Sequence, residues 1–435
     1  MARSIRNAAK LKWPKGVNNV IKEEELDADE LRAGENIDIT AEGSVRRRPG
    51  YTVAYAGSTP ILSMFSSPQF LLFVEGGVLK RRDAGGDVNT VRSGLSKTAK
   101  TVFVEKNFEV YYSDGSATGV VQYDGTHRAW GVDRPTNQPT LSAVAGSLEP
   151  GTYQVAVTFI DSRGEESGTD ITEVITLTSG QGISVTNLPT STNPDITYVR
   201  VYRTSPDGTV LYRVGDLPIG TTSTGLGPST MDKVLTTQFV RPPPAGHLLS
   251  ELYGRIFIAS ESTIYWTEAM SFGHVKLADN FIMLPSRVNL MASVRDGMYV
   301  AAGNRTFYWS GDDPKKMQQK VAYAQADAIE GAITYVPGSA LAFDEVNETD
   351  QVPVWAASNG VILVGLPGGR VVPVTEKRFR FPAHERGAAV FRDYQGVRQV
   401  LMSLEGSGTA DSLVPTDDVA ISITKGKRFD DATLT

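Results

Sequence analysis

The apolar residues of the chain recur with a period of two or in short unbroken runs of strand length. Ile61 to Phe65 and Phe70 to Val74 are two such runs, and a Ser-Ser-Pro turn separates them. Runs of this length bounded by turn residues predict β-strands. The unit of strand, short turn, strand and turn occurs six times, at 61–80, 101–115, 255–266, 298–313, 354–369 and 388–401.

Repetition of such units predicts a radial array of small antiparallel sheets, a β-propeller. Sheets in such an array bury both faces against their neighbours, which explains the apolar residues at consecutive positions. A pair of unrelated β-sandwiches with similar hairpins is the alternative. Ile37 to Thr40 is expected to complete a blade begun by the C-terminus, because closure removes exposed strand edges.

The stretch from Pro139 to about Val240 departs from this pattern. It is rich in Thr, Ser and Gly, and Tyr153, Val155, Val157 and Phe159 alternate cleanly. Seven or so short strands in about a hundred residues predict an immunoglobulin- or fibronectin-like sandwich inserted in the array. The expected domains are therefore 1–138, 139–240 and 241–435, the first and last being propeller arcs and the last ending in a closing strand.

One hairpin turn and two short helices are also expected. The turn lies in the sandwich at Ser205-Pro206-Asp207-Gly208, and Gly208 is expected at positive φ. Two short helices are expected, at Glu23 to Ala33 and at Lys316 to Ala328.

Composition narrows the class of protein. The 435 residues include no cysteine, which excludes disulfides, thiol catalysis and thiolate metal sites. The net charge of -6 argues against a protein whose main task is to grip nucleic acid. The N-terminus reads as neither signal peptide nor membrane span, so the protein is expected to stay in the cytoplasm or to assemble there.

Candidate catalytic chemistry is sparse. The carboxylates Asp344, Glu345, Glu348 and Asp350 could hold calcium, but the run lacks the glycine and spacing of a known calcium loop. A solvated loop is the alternative. The four histidines, at positions 127, 247, 274 and 384, are widely separated, and no nucleophile elbow, P-loop or zincin motif is present. We therefore expect no enzyme, no metal and no cofactor.

Two basic runs are candidate interfaces with a subunit or partner: Arg46, Arg47 and Arg48, and Lys80, Arg81 and Arg82. They could contact carboxylates or DNA phosphates, although a solvated strand end is the alternative reading. The aromatic residues Tyr111, Tyr112, Trp130 and Trp309 could stack on sugars or bases if exposed, but are more often core residues in packed sheets.

Several phrases resemble one family of proteins. They are Gly16-Val17-Asn18-Asn19, Ala33-Gly34-Glu35-Asn36-Ile37-Asp38-Ile39, Gly43-Ser44-Val45-Arg46-Arg47-Arg48-Pro49-Gly50-Tyr51, Gly151-Thr152-Tyr153, Asp161-Ser162-Arg163-Gly164-Glu165-Glu166-Ser167 and Val199-Arg200-Val201-Tyr202-Arg203. The chain resembles phage tail hub and nozzle proteins of the packaged-DNA stabilisation type, from short-tailed phages. The likeness covers the opening of the chain and the insertion.

The resemblance implies a structural protein of the virion tail. Such subunits form a homo-oligomeric ring, expected to have six copies, below the portal and its adaptor protein, and contact tail fibre, spike or needle proteins. Genomic DNA would pass through the lumen without tight binding, and no membrane-spanning segment is expected. The runner-up is a carbohydrate-binding or glycan-cleaving propeller that acts on a host surface.

Overall fold

In the structure, a computed structural model, the regular secondary structure consists almost entirely of β-strands. It describes residues 12–34, 37–40, 43–47, 50, 52–170, 172–394, 397–406, 417–422 and 433–434. The helical elements in these residues are four 3-10 turns, at Glu23–Glu25, Pro314–Lys316, Gly338–Ala340 and Pro367–Gly369. No helix in this part of the chain has the length and hydropathy that a membrane span requires.

The two predicted helices are wrong. The first is reduced to the 3-10 turn Glu23–Glu25, and the second is replaced by a strand at Gln318–Tyr323. That strand pairs with Thr306–Ser310, with Gln319 opposite Trp309. Pairing with a distant strand overrides the local preference of the sequence.

Six four-stranded antiparallel meanders make up most of the described residues. After β1 and β2 (Ile37–Ile39 and Val45–Arg47), the first meander contains β3–β6, at Ile61–Ser66, Phe70–Glu75, Val78–Asp83 and Val88–Ser93. The second contains β7–β10, at Val102–Lys106, Glu109–Ser113, Thr118–Gln122 and His127–Arg128.

The other four meanders follow a seven-stranded insertion, β11–β17. The third meander contains β18–β21, at Leu248–Leu252, Arg255–Ser260, Thr263–Trp266 and Phe281–Met283, and the fourth contains β22–β25, at Val288–Val294, Gly297–Ala302, Thr306–Ser310 and Gln318–Tyr323. The fifth contains β26–β29, at Ala328–Pro337, Gln351–Ala357, Ile362–Gly365 and Val371–Pro373. The sixth contains β30–β33, at His384–Tyr394, Val397–Gly406, Asp417–Ser422 and Thr433–Leu434. A parallel bridge between Glu330 and Arg386 joins the last two into one eight-stranded sheet.

Several central strands of the meanders are buried along consecutive residues, as predicted. Every residue of β23 is buried, and so is every residue of β28. A strand with both faces covered needs apolar side chains at all positions, and this accounts for the unbroken runs in the sequence.

The insertion is a two-sheet sandwich. Its strands β11–β17 lie at Thr140–Ala145, Gly151–Asp161, Glu173–Leu177, Gln181–Thr186, Ile196–Arg203, Tyr212–Pro218 and Ser223–Leu226. One sheet has the order β11-β14-β17 and the other β13-β12-β15-β16. The four alternating residues predicted from Tyr153 to Phe159 are all buried in the core between the sheets. The boundaries at 139 and 240 stay predictions.

The conformation expected for Gly208 is wrong. Positive φ is found at the preceding residue, Asp207, at 57°, and not at Gly208. A Cβ at Gly208 would lie 2.3 Å from Ser205 Oγ, which can rotate away, and 3.2 Å from the Ser205 carbonyl oxygen, so the position is tight but its backbone angle does not require glycine.

The chain divides into two compact units. One contains Met1–Ser58, Glu261–Thr263 and Met283–Thr435, and the other contains Thr59–Ser260 and Ile264–Ile282. In the first unit, β1 pairs with β2 and forms no ladder with a C-terminal strand among the described residues. Its link to β31 is instead a buried side-chain hydrogen bond of 3.4 Å from Gln399 Nε2 to Asp38 Oδ1.

Candidate interaction surfaces

The first basic run lies on β2. Arg46 and Arg47 are both exposed, and Arg46 stands opposite Asp38 in the β1–β2 register. Arg48 lies outside the described residues. Arg46 and Arg47 are therefore accessible to a partner.

The second basic run lies on β5, and two of its three residues form contacts within the chain. Lys80 Nζ pairs with the buried Glu75 carboxylate at 2.6 Å. Arg81 pairs with Asp83 at 2.7 Å and donates to the carbonyl of Tyr123 at 2.8 Å, and its guanidinium lies 4.5 Å from the centre of the Phe70 ring. Arg82 is half-buried. Lys80 and Arg81 are thus less available to a partner than Arg46 and Arg47.

The opening motif fixes the N-terminal segment of the first unit. Asn19 exchanges two hydrogen bonds with the backbone of Arg380, donating from Nδ2 at 2.8 Å and accepting at Oδ1 at 2.9 Å. The Asn19 N–H also donates to the carbonyl of Arg378 at 2.9 Å. Buried Asn18 accepts from the N–H groups of Val20 and Ile21 at 3.2 and 3.4 Å. The motif therefore joins residues 361 positions apart in the sequence.

The insertion motif builds a polar network on the sandwich. Asp161 Oδ1 accepts from the N–H groups of Arg163 and Glu165 at 2.9 and 2.8 Å, which shapes the turn after β12. Glu166 then accepts from Tyr202 Oη at 2.6 Å and from Arg200 at 2.9 Å. Two carboxyl groups of one loop thus fix its backbone and tie it to β15.

Arg200 extends the network to β16. Its guanidinium contacts both oxygens of Asp216, at 2.7 and 3.0 Å, and Arg213 adds a third contact at 2.7 Å. The hydrogen bonds to Asp216 raise the pKa of Arg200. Burial raises the pKa of the Asp216 carboxyl, but the two arginines outweigh burial and hold this pKa below its ordinary value.

A second ionic cluster connects the sandwich to the second meander within the same unit. Arg128 Nη2 donates to both oxygens of Glu109 at 2.8 and 2.7 Å, and Tyr111 Oη donates to Glu109 at 2.6 Å. Arg163 lies 3.5 Å from Glu109 and 2.8 Å from Glu165. We name Glu109, Arg128, Arg163 and Glu165 the sandwich joint.

Electrostatics favour the charged state of the joint. Burial raises the pKa of Glu109, but hydrogen bonds from Arg128 and Tyr111 outweigh burial, and the net pKa is lowered. Burial and the bond to Glu109 raise the pKa of Tyr111. Arg163 belonged to a motif visible in the sequence, whereas Glu109 and Arg128 gave no sequence signal because they meet only in the tertiary structure.

The carboxylate run after β26 is engaged by arginines. Asp350 pairs with Arg295 at 2.7 Å and accepts from the Asn347 N–H at 2.7 Å. Glu345 pairs with Arg370 at 2.9 Å. Asp344 and Glu348 complete the run, and no group of three or more potential ligands suited to a metal ion occurs in the described residues.

The aromatic residues considered for stacking are buried. This holds for Tyr111, Tyr112, Trp130 and Trp309. Trp130 Nε1 donates to the carbonyl of Phe272 at 2.7 Å, which is a packing role. The prediction that they are core residues is confirmed, and they are not available to stack on a ligand.

The histidines occupy separate environments. His127 Nε2 lies 2.7 Å from Tyr112 Oη, and burial lowers the pKa of His127. His274 lies 2.6 Å from Ser271 Oγ and 2.5 Å from the carbonyl of Glu166. His247 is half-buried, and His384 lies buried at the start of β30.

Comparison with known proteins finds only solved structures with low TM-scores and low sequence identity to this chain. No family model matches the chain, and no curated protein matches it. Among solved structures, BBS1N in complex with ARL6DN is similar with a TM-score of 0.35 and 11% identity, over 87% of this chain and 98% of that one. The Pan2 WD40 domain of Neurospora crassa has a TM-score of 0.33 and 9% identity, over 79% and 86% of the two chains. Hsv2 of Kluyveromyces lactis has a TM-score of 0.32 and 8% identity, over 87% and 98%.

TM-scores of this size carry no argument about function. The fold class rests on the sheets of the chain itself. It is all-β, a propeller-like array of short antiparallel sheets with an inserted immunoglobulin- or fibronectin-like sandwich, as the sequence predicted.

Proposed function

We propose that the chain is a non-catalytic structural component of a bacteriophage tail. In this proposal it is a ring-forming hub or nozzle subunit below the portal and its adaptor protein. The ring retains the packaged genome and forms the conduit through which DNA is ejected. Six copies, contacts with tail fibre, spike or needle proteins, and a location in the virion tail belong to the same proposal.

One observation supports the proposal more than any other. The residues that carry the resemblance to tail proteins are those that fix one segment of the chain to another. Asn19 ties the N-terminal segment to Arg380, and Glu166 ties the loop after β12 to β15. Arg163 of the same loop reaches Glu109 on β8. The motifs thus serve the rigidity of the subunit, which a ring under the pressure of a packaged genome requires.

The charge of the chain is compatible with a conduit. A wall that bound phosphates tightly would slow the duplex, because each phosphate contact adds salt-dependent affinity. The net charge of -6 is compatible with a wall that does not bind phosphates, and the exposed Arg46 and Arg47 are suited to carboxylates of a neighbouring subunit or tail protein.

Imaging of the purified protein, or of the virion that contains it, by negative-stain electron microscopy tests the proposal. We expect rings, or short tubes at the tail tip of the virion. Monomers that bind glycans on an array would contradict the proposal and favour the carbohydrate-binding alternative. A parallel assay on polysaccharide, nucleic acid and peptide substrates should show no turnover above background. Turnover that a single carboxylate or histidine substitution abolishes would contradict the non-catalytic role.

A further inference from the structure

The hydrophobic core of the sandwich is separate from a core of the meanders beside it. Val155, Ile183 and Val199 belong to the buried cluster of the sandwich. Tyr111 on β8 and Phe272 in the loop between β20 and β21 belong to another cluster, and the two clusters have no residue in common. Two parts of a chain with separate cores meet as domains do, and motion between domains is expected unless a large apolar interface prevents it.

Two connectors join the sandwich to the meanders, and one carboxylate holds both. Arg134 precedes β11, and Arg241 follows β17. Asp170, in the loop after β12, pairs with Arg134 and, at 2.7 Å, with Arg241. Burial raises the pKa of Asp170, but hydrogen bonds from the two arginines outweigh burial, and the net pKa is lowered. We name Arg134, Asp170 and Arg241 the connector clamp.

Both connectors lie against the same loop, which runs between β20 and β21. The Arg241 N–H donates to the Val275 carbonyl at 2.9 Å, and the Arg241 carbonyl accepts from the Val275 N–H at 2.9 Å. In the other connector, a Cβ at Gly131 would lie 2.5 Å from the carbonyl oxygen of Gly273. The sandwich is therefore attached to the meanders at one place, which is the geometry of a hinge.

Ion pairs that cross the sandwich joint are longer than those on either side of it. Arg163 lies 3.5 Å from Glu109, and Arg128 lies 3.9 Å from Glu165. On the side of the meander, Arg128 is 2.7 Å from Glu109, and on the side of the sandwich, Arg163 is 2.8 Å from Glu165. Each side keeps its own ion pair when the two separate, so separation leaves no uncompensated charge.

Two further contacts cross the joint. His274 is held by Ser271, and its Nε2 lies 2.5 Å from the carbonyl oxygen of Glu166. Glu165 lies against the backbone of Gly273, where a Cβ would be 1.7 Å from Glu165 Oε1. Polar groups of this kind lose little free energy on separation, because water replaces their partners.

We propose that the sandwich moves as a body between a closed and an open position, with the connector clamp as the hinge and the sandwich joint as the latch. The closed position is the one that the structure shows. Opening of the clamp would cost Asp170 both of its arginines, whereas opening of the joint leaves an ion pair on each side. The clamp therefore holds while the joint releases. This device concerns contacts within one chain and does not depend on the proposed ring.

Double electron–electron resonance between two spin labels measures the position of the sandwich in the full chain. The chain contains no cysteine, so the labels attach at the exposed positions Thr98→Cys, in the loop after β6, and Ser179→Cys, in the β13–β14 turn. We expect one dominant distance in this background. Arg163→Met combined with His274→Phe should raise the ratio of open to closed molecules at least about tenfold, because two polar contacts across the joint are lost.

Arg213→Met is the matched control. Its ion pair with Asp216, at 2.7 Å, lies within the sandwich, so the distance distribution should match that of the labelled wild type. Near-UV circular dichroism should be unchanged in all variants, because both cores stay folded. His274→Phe alone should give a smaller rise and keeps the test decisive if the double variant does not fold.

Three results would overturn the latch. They are an unchanged distance distribution in both latch variants, an equal change in Arg213→Met, and open and closed populations of similar size in the labelled wild type. A new distance that appears together with a loss of the near-UV signal would show local unfolding and would overturn the hinge.

Discussion

Two basic runs of similar sequence have different surroundings in the folded chain. Lys80 and Arg81 lie on β5 and are held by Glu75 and Asp83. Arg46 and Arg47 lie on β2 and are exposed. The sequence shows three adjacent basic residues in both places, so the run by itself does not indicate a binding site.

The difference lies in the neighbours that the fold provides. β5 is paired on both sides, with β4 and β6, and Arg81 on this strand contacts the Asp83 carboxylate and the Phe70 ring. β2 is paired with β1 in a two-stranded sheet. Arg81 in the first setting is engaged by its neighbours within the fold, whereas Arg46 and Arg47 in the second setting are exposed. Substitutions should therefore separate the two groups by their effect on stability.

The largest effect is expected for Arg128→Met in the sandwich joint. The substitution removes both hydrogen bonds from Arg128 to Glu109 and leaves a half-buried carboxylate with fewer donors. We expect a loss of about 2–3 kcal/mol in the free energy of unfolding, measured by urea denaturation. Combination with Glu109→Gln should cost less than the sum of the single substitutions. Additive costs would contradict a coupled joint.

A smaller effect is expected for Arg81→Met on β5. The variant loses the ion pair with Asp83, the hydrogen bond to Tyr123 and the contact with the Phe70 ring. We expect destabilisation of about 1–2 kcal/mol. Arg82→Met, at the next position of the same strand, is the matched control and should stay within about 0.5 kcal/mol of the wild type. Equal costs at the two positions would show that Arg81 has no special role.

The pH dependence of the free energy of unfolding tests how much the ion-paired carboxylates Asp216 and Glu109 contribute to stability. The folded pKa of Asp216 is lowered, so its contribution to stability is complete above the unfolded pKa of about 4 and is lost as the pH falls through the lower folded value. Glu109 follows the same sign. We expect the urea midpoint to fall between pH 5 and pH 3, and to fall less steeply in Asp216→Asn. Parallel profiles for the variant and the wild type would exclude this contribution.

The parts of the fold that local sequence determines were predictable. Short apolar runs and turn residues indicated six meanders, and the alternation from Tyr153 to Phe159 indicated a sandwich sheet with one wet face. The sandwich is confirmed, but the wet face is wrong, because Ala156, Thr158 and Ile160 on the other face of β12 are also buried. The predicted helix at 316–328 was wrong because β25 gains its hydrogen bonds from β24, a partner that no local pattern reveals. The expected φ at Gly208 was wrong because Asp207 tolerates the left-handed region.

The interaction surfaces were only partly predictable, for a physical reason. Charged residues on strands carry no periodic signal, and whether Arg81 meets a carboxylate depends on side-chain contacts within the folded sheet. Glu109 and Arg128 are 19 residues apart and meet because β8 and β10 belong to one meander.

The smallest effect on stability is expected for Arg46→Ser combined with Arg47→Ser. Both side chains are exposed on β2, so the free energy of unfolding should change by less than about 0.5 kcal/mol. If the pair contacts carboxylates of a neighbouring subunit or tail protein, ring assembly or docking should nevertheless be impaired. Wild-type affinity for duplex DNA should be no tighter than the non-specific range of about 10⁻⁴–10⁻⁶ M at physiological salt, and the variant should differ little. A salt titration of duplex binding beside imaging of the variant separates the two roles. Nanomolar DNA affinity that disappears in the variant while its rings stay intact would contradict this prediction. Arg46 and Arg47 on β2 would then bind DNA instead of a neighbouring subunit or tail protein.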